Sequence, residues 1–595
     1  MYKISNRGEK CMINSKNDEM AAGSVVTATD FYRYRYLGFH IVPDSRGEKN
    51  AVFRVLAPNA RRSFLVGDFN GWQESHPMDK KDGGIFEIFL PASVLQHGQN
   101  YKYKITTSDG RELYKADPYA VFCESMPATA SKIFLSEPYL WKDEGYIRNR
   151  KRLFSEKGRN IPLNIYKLCP FSWKNLTDYK NLADALIPYL KQMGYTHALL
   201  TFVAEGVRDG TRACDASAFF VPATGVGDPH CFCEFVDAMH GAGLGVILEW
   251  TPAGFALCEH GLSGFDGTPV FEGAQIGQKG SMPFDLESCA TRELLLSNAI
   301  FWLEEYHIDG LSCDVSQMLA GNREDDVFSF FASLNGKIHS EYPDVITIAK
   351  SRHTSDVVTD SVQNGGLGFS FVRDRRLENE ILSVCDLVRD AKLAASLHHG
   401  ICALSDCESF AGRLRCESKE RFATSRLLIF CMMLADSKKL TFSGSEICSL
   451  GNAENRVEWE CLSGESSLHK KHQLFVRDMG DFYLSHPVLW QEGGVTQENI
   501  CKEYANLSRI YSDGCTYKEM IAVINFGIKK ADDVLIETAS ATGYKKVFST
   551  ALSVYGGNEQ KDDTVYFAKS ANGKNYITAE LSPLSAYIFE PCGDG

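Results

Sequence analysis

Eight short apolar runs recur between Pro162 and Trp490, and amphipathic stretches separate several of them. The runs are LNIYKLC (163–169), HALLTFV (197–203), GVILEW (245–250), GLSCDV (310–315), ITIAK (346–350), LGFSF (367–371), ICALS (401–405) and KLTFSG (439–444). Each has the length of a short buried strand. Between them, residues 182–194, 232–243 and 292–307 carry apolar side chains every three or four positions, the period of a helix with one buried face. Eight strands alternating with helices over about 330 residues fit a (β/α)8 barrel, whose working face is the C-terminal ends of its strands.

The flanks have a different rhythm. From Asn50 to about Leu140, segments such as AVFRVLAP, RRSFLVGDF, GIFEIFLP and YKYKITT alternate apolar and polar residues between Asn-Gly, Asp-Gly and Gly-rich turns, which predicts an antiparallel β-sandwich. After about Tyr504 the alternation returns in MIAVINFG, ITAELS and SAYIFEP, which predicts a second one. The expected organisation is a polar lead over 1–30, a β-sandwich over 31–145, the barrel over 146–495 and a C-terminal β-sandwich over 496–595.

Composition narrows the function classes. With 63 Lys and Arg against 76 Asp and Glu the net charge is −13, and no basic run stands out. Nucleic acid and anionic membrane surfaces are therefore not expected as partners. The longest apolar run, Leu427 to Ala435, is about half of the ~20 residues a bilayer span requires. The N-terminal stretch lacks a secretory signal pattern, so the expected location is the cytoplasm. Nineteen cysteines, an odd number without CxxC pairs, read as reduced and mostly buried thiols. No cofactor and no metal site is expected.

Beyond these patterns, LAPNARRSFLVGDFNGW (56–72) and KADPYA (115–120) resemble the N-terminal carbohydrate-binding module of the glycogen (1,4-α-glucan) branching enzymes, members of the α-amylase superfamily. LIPYLKQMGYTHALL, HGAGLGVILEW, HGLSGFDGTPV, LSNAIFWLEEYHIDGL and EYPDVITIA are similar to the barrel of that family, and VYGG (554–557) to its C-terminal domain. The similarity runs over about residues 30–592 in unbroken order. It implies a sandwich, barrel, sandwich architecture, and an α-glucan as ligand.

The resemblance also implies a retaining transferase, which needs a carboxylate nucleophile and a protonated carboxyl about 5 Å apart. In this sequence the nucleophile position is Asp314, but the Arg expected two residues earlier is Ser312. The acid/base position is Lys350, and the third, substrate-distorting Asp is replaced by Cys407, between Asp406 and Glu408. Sugar-binding positions read Glu249 and Gly254 on the third strand, Cys214 in a loop and Cys169 on the first strand. In the N-terminal module Trp72, Tyr101 and Lys102, with Tyr103, are candidate glucan contacts; GDFNGW equally suits a turn closed by a core aromatic.

A lysine is a poor substitute for the acid. Its ordinary pKa of about 10.4 holds the proton too tightly, and a neighbouring carboxylate holds it tighter still. Asp314 and Lys350 are instead expected to pair, one cation lost beside the nucleophile and another gained across the barrel mouth. Cys169, Cys214 and Cys407, with His398 or His399 near, also suggest a thiol or metal site, though isolated cysteines are usually buried hydrophobes. The favoured function is a catalytically inactive glucan-binding homologue. Two alternatives stand beside it: an active branching enzyme with a non-standard site, and a scaffold or regulator of a glycogen enzyme. The pairing fails if amine and carboxylate lie more than about 6 Å apart.

Overall fold

A computed structural model describes residues 30–592, apart from 171, 202, 210–211, 274–280, 352–354, 375–399, 405–418, 436, 450–456, 464–466, 492–494, 501–503 and 513–516. At its centre eight parallel strands close into a barrel in sequence order: β1 (Asn164–Leu168), β2 (His197–Leu200), β3 (Gly245–Glu249), β4 (Gly310–Asp314), β5 (Ile346–Ser351), β6 (Phe371–Asp374), β7 (Gly400–Leu404) and β8 (Lys438–Phe442). All eight lie where the apolar runs place them except β6, which starts at the last residue of its predicted span. The reason is local. Gly368 has φ +74°, a left-handed turn that keeps Leu367 and Phe369 in the helical layer and leaves Phe371 to enter the barrel.

Alternation along the strands divides the core. Leu163, Ile165, Leu199, Ile247, Ile346, Ile348, Phe371, Ile401 and Leu440 fill the barrel interior, whereas Leu168, Ala198, Leu200, Val246, Leu311 and Cys313 face the surrounding helices. The helices Tyr179–Gln192 and Pro229–Gly241 are started by Asp178 and Asp228, whose carboxylates accept from the backbone N–H of Asn181 and Cys231. Gly194 and Gly243, at φ +70° and +80°, turn these helices back toward β2 and β3. The run Leu427–Ala435 belongs to a buried helix, Lys419–Leu434, and its end. Among the described residues no helix is long and apolar enough to cross a membrane.

On either side stand two-sheet β domains. In the N-terminal one, Gly38–Pro43, Lys49–Leu56 and Ile85–Pro91 face Arg62–Gly67, Asn100–Thr106 and Glu112–Lys115, with Phe53 edge-on to Tyr101 at 5.2 Å in the core. It docks on the barrel through Lys115, whose ammonium donates to the carbonyls of Glu259 and Ser263, both at 2.6 Å. In the C-terminal domain a six-stranded and a three-stranded sheet enclose Ile521, Val523, Val534, Ile536, Ile577 and Phe589.

The N-terminal end of the barrel is closed by a buried charge cluster. Helix α1 (Glu144–Lys157), which no apolar period announces, sends Arg150 to Asp309 and to Asp344, the latter at 2.7 Å. His240 lies between Asp143 (2.8 Å) and Asp309 (2.9 Å), and its ring stacks on Tyr146 at 4.1 Å. Burial disfavours a charged imidazole, but Asp309 and Asp143 outweigh it and push His240 up to about 9 from 6.5. The same contacts hold Asp309 and Asp143 well below the usual carboxylate range against the effect of burial.

The His240 pKa is higher in the folded state, so its contribution to stability is complete below pH 6.5 and is lost as pH rises through about 9. The thermal midpoint is expected to fall across that window. Asp309→Asn is expected to cost about 3–5 kcal/mol at pH 7 and to flatten the fall, as followed by circular dichroism melts from pH 6.5 to 9.5.

Candidate functional site

The interior of the barrel changes from apolar to charged at the C-terminal ends of its strands. Two residues above the Ile165 layer, β1 presents Lys167; β3 places Glu249 above Ile247, β5 places Lys350 above Ile348, and β6 places Arg373 above Phe371. On β4 the inward positions are Ser312 and Asp314, since Leu311 and Cys313 face the helices. The parallel register sets Asp314 beside Lys350, and Lys350 beside Arg373. Three neighbouring strands thus carry a carboxylate, an ammonium and a guanidinium at one height.

The charges meet in pairs. Lys350 Nζ lies 2.9 Å from Asp314 Oδ2, inside salt-bridge range. The other oxygen of Asp314 accepts from the backbone N–H of Gln317 at 3.1 Å and so starts the short helix Val315–Leu319. Both carboxylate oxygens are engaged. Across the mouth, Lys167 Nζ lies 2.6 Å from Glu249 Oε1. Burial raises the Glu249 carboxyl, but Lys167, and after it Lys350 and Arg373, more than offset this and keep it below its ordinary range. The Phe442 ring is flanked by two of these cations, with Lys167 Nζ at 5.0 Å and Arg373 Cζ at 5.1 Å from its centroid.

The other expected positions are distributed unevenly. Ser312 sits beside Glu249 in the register and its carbonyl accepts from Trp250 N–H at 2.7 Å. Gly254 belongs to a hairpin strand, where a Cβ would come within 2.6 Å of the Met282 carbonyl oxygen, so a larger residue would have to part the strands. Cys169 is a buried free thiol at the end of β1. Cys214 lies on the strand Arg212–Pro222, with its side chain outside the described residues. Cys407, with Asp406, Glu408, His398 and His399, also lies outside the described residues.

In the N-terminal module the two aromatic candidates separate. Tyr101 is fully buried and donates to Asp117 Oδ2 at 2.8 Å, beside Tyr103, which donates to the same oxygen at 3.1 Å. The expectation that Tyr101 touches glucan is corrected: both tyrosines point into the sandwich, and their hydroxyls satisfy a buried carboxylate. Lys102, on the outward face, donates to Thr129 Oγ1 at 2.6 Å, and partial burial lowers its pKa. In GDFNGW, Asn70 and Asp68 are turn residues: Asn70 Oδ1 accepts from Gly67 N–H, and Asp68 Oδ2 from Asn100 N–H. Trp72 projects outward, 39% exposed, with its indole N–H on Asp68 Oδ1 at 3.0 Å.

Lys167 and Arg373 were not among the expected site residues. The signal was present, since Lys167 stands two residues after Ile165 in an otherwise apolar strand. A lone charge in a strand, however, reads equally as an edge or solvent-facing position.

Residues 36–120 match carbohydrate-binding module 48, the isoamylase N-terminal domain, and residues 510–592 match the α-amylase C-terminal all-β domain. The 1,4-alpha-glucan branching enzyme GlgB of Desulfitobacterium hafniense is 32% identical over 575 residues, covering 89% of this chain and 90% of that protein. The chain belongs to the 1,4-α-glucan branching enzyme family. GlgB of Bacillus subtilis is 30% identical over 603 residues, 94% of this chain and 95% of its own. Among solved structures, pullulanase type I from Bacillus subtilis, complexed with maltose, is similar with a TM-score of 0.72 at 14% identity, covering 98% of this chain and 87% of that one. A putative α-amylase from Salmonella typhimurium gives 0.67 at 14% identity, covering 94% and 100%. These structures share the fold.

Lys167→Met is expected to remove the nearest counter-charge of Glu249 and to lower the thermal midpoint at pH 7. The pairing depresses the Glu249 pKa, so it contributes stability above pH 4.5 that is lost on acidification. The gap between wild type and variant is therefore expected to narrow from pH 7 to pH 4 in parallel melts.

Proposed function

We propose that this branching-enzyme family member binds α-glucan and has lost glycosyl transfer. The observation that carries the reading is the state of Asp314. The family resemblance makes this residue the nucleophile, yet one of its oxygens is 2.9 Å from Lys350 and the other caps a helix turn. Attack on an anomeric carbon needs a carboxylate lone pair, and departure of the glucan oxygen needs a proton from an acid of suitable pKa. Lys350 occupies the acid position and is joined to the nucleophile by an ion pair. Ser312, at the position of the missing Arg, brings no compensating charge.

The transition state adds a second argument. An oxocarbenium-like sugar carries developing positive charge, which negative surroundings stabilise. Lys350, a cation set directly against Asp314, provides the opposite bias. Glucan binding is supported by the match of the N-terminal domain to carbohydrate-binding module 48 and by exposed Trp72, an aromatic face of the kind that stacks on sugars.

Amylose incubated with the purified chain is expected to keep its iodine colour, and Lys350→Glu is expected not to restore transfer, because it sets two carboxylates side by side without the missing Arg. Colour loss by wild type that disappears in Asp314→Ala would overturn the reading. In glycogen-containing native gels the chain is expected to be retarded, and Trp72→Ala to run faster while melting at the wild-type temperature. Unretarded migration of wild type would leave a role as a protein partner instead.

A further inference from the structure

Phe122 and Phe134 belong to none of the hydrophobic cores formed by the described residues. Local structure sets them side by side. The Lys132 N–H donates to the Phe122 carbonyl at 2.9 Å, and Ile133 donates to the Gln99 carbonyl and accepts from the Gly98 N–H, both at 2.8 Å. Ile133 is fully buried, while its neighbours Lys132 and Phe134 stay partly exposed, as does Phe122. The two phenyl rings meet edge to face at 5.7 Å. His97, an exposed residue, lies 6.1 Å from Phe122 and 5.4 Å from Phe134 between ring centroids. On the barrel side His230, near the start of the helix Pro229–Gly241, stands edge to face 5.2 Å from Phe134. These partly exposed rings form one patch across the seam between the N-terminal domain and the barrel.

An aromatic patch rimmed by polar groups marks a ligand surface. The C–H face of a pyranose stacks on an aromatic ring, and its hydroxyls need hydrogen-bonding groups at the ring edges. Such groups are present. His97 Nδ1 donates to the Leu135 carbonyl at 3.0 Å, which leaves Nε2 to pair with a hydroxyl. Ser136 Oγ lies 3.4 Å from His230 Nδ1, and Lys132 Nζ lies 5.3 Å from the Phe122 centroid. An apolar side chain of a partner protein would bury these groups unpaired, whereas sugar hydroxyls pair them. The patch also adjoins the Trp72 turn: Asp68 holds the Trp72 indole and accepts from the N–H of Asn100, three residues after His97. We propose that Phe122 and Phe134, with His97 and His230 at their edges, form a second glucan platform, which takes a linear α-glucan segment across the seam. No bond is made or broken in this step. The inference deepens the glucan-binding reading and rests on it.

Calorimetric titration of the full chain with maltoheptaose, beside native gels containing glycogen, tests it. Phe134→Leu keeps an apolar side chain and removes the ring. It is expected to melt at the wild-type temperature and to weaken maltoheptaose binding about three- to tenfold, the scale of one ring-stacking contact. Phe122→Leu is the second variant and gives the same direction if Phe134→Leu does not fold. Phe134→Leu combined with Trp72→Ala is expected to be retarded by glycogen less than either single variant. Unchanged maltoheptaose affinity and unchanged retardation in a folded variant overturn the proposal and leave Trp72 to carry glucan binding alone. A variant that changes only the sedimentation of the chain makes the patch a contact between copies and overturns it as well. Unretarded migration of the wild type, with no binding of maltoheptaose, removes the glucan-binding reading and the platform with it.

Discussion

A partly buried carboxylate in the mouth of a closed barrel is stabilised by a cation within reach, because the surrounding strands and helices limit the water that solvates it. In this chain the cation for Asp314 comes from the neighbouring strand. The position two residues before it is Ser312, which brings no charge, and the parallel register sets Lys350 directly alongside at 2.9 Å. The same rule holds across the mouth, where Lys167 reaches Glu249 at 2.6 Å. Charge balance is thus kept by a cross-strand arrangement. On the proposed reading its chemical consequence is large, because the family resemblance puts the protonated carboxyl of glycosyl transfer at the position of the lysine that balances Asp314.

The other end of the barrel is independent of this exchange. Asp309, at the foot of β4, gathers His240 and Arg150, while Asp314 at the head of the same strand answers Lys350. One strand therefore carries a structural cluster at one end and the proposed functional one at the other, with Leu311 and Cys313 packed between them. Fold and chemistry can diverge separately on such a scaffold, since stability resides at the N-terminal face and the packed interior, and substrate chemistry at the C-terminal face. Kinship over nearly the whole chain is for this reason compatible with the loss of transfer proposed for the mouth.

Much of the fold was legible in the sequence because buried strands and amphipathic helices leave periodic marks. The eight barrel strands follow from apolar runs such as GVILEW and ITIAK. Helix α1 left no such mark: none of its residues is buried as a whole, and what anchors it is the Arg150 guanidinium, the Tyr146 ring stacked on His240 and Phe154 against the barrel interior. The hairpin of Ala204–Asp209 with Arg212–Pro222 was missed as well, since its small and polar residues lack a clear alternation. In the N-terminal module, alternation correctly marked a strand at Tyr101, Lys102 and Tyr103, but alternation alone does not say which face is inside. The Asp117 carboxylate decides that by taking both hydroxyls. At the site, Asp314 and Lys350 could be paired from strand order alone, whereas Lys167, Glu249 and Arg373 become one group only when β1 closes against β8.

The central claim is that Asp314 is held as an ion-pair partner and not as a nucleophile. An activated donor, α-maltosyl fluoride, tests this most directly, because fluoride leaves without a proton and the missing acid no longer limits the reaction. Fluoride release measured with an ion-selective electrode should match the uncatalysed background, for the wild-type chain and for Asp314→Ala alike. Release well above background by the wild type, abolished by Asp314→Ala, would mean that the carboxylate still attacks, and the account would be wrong.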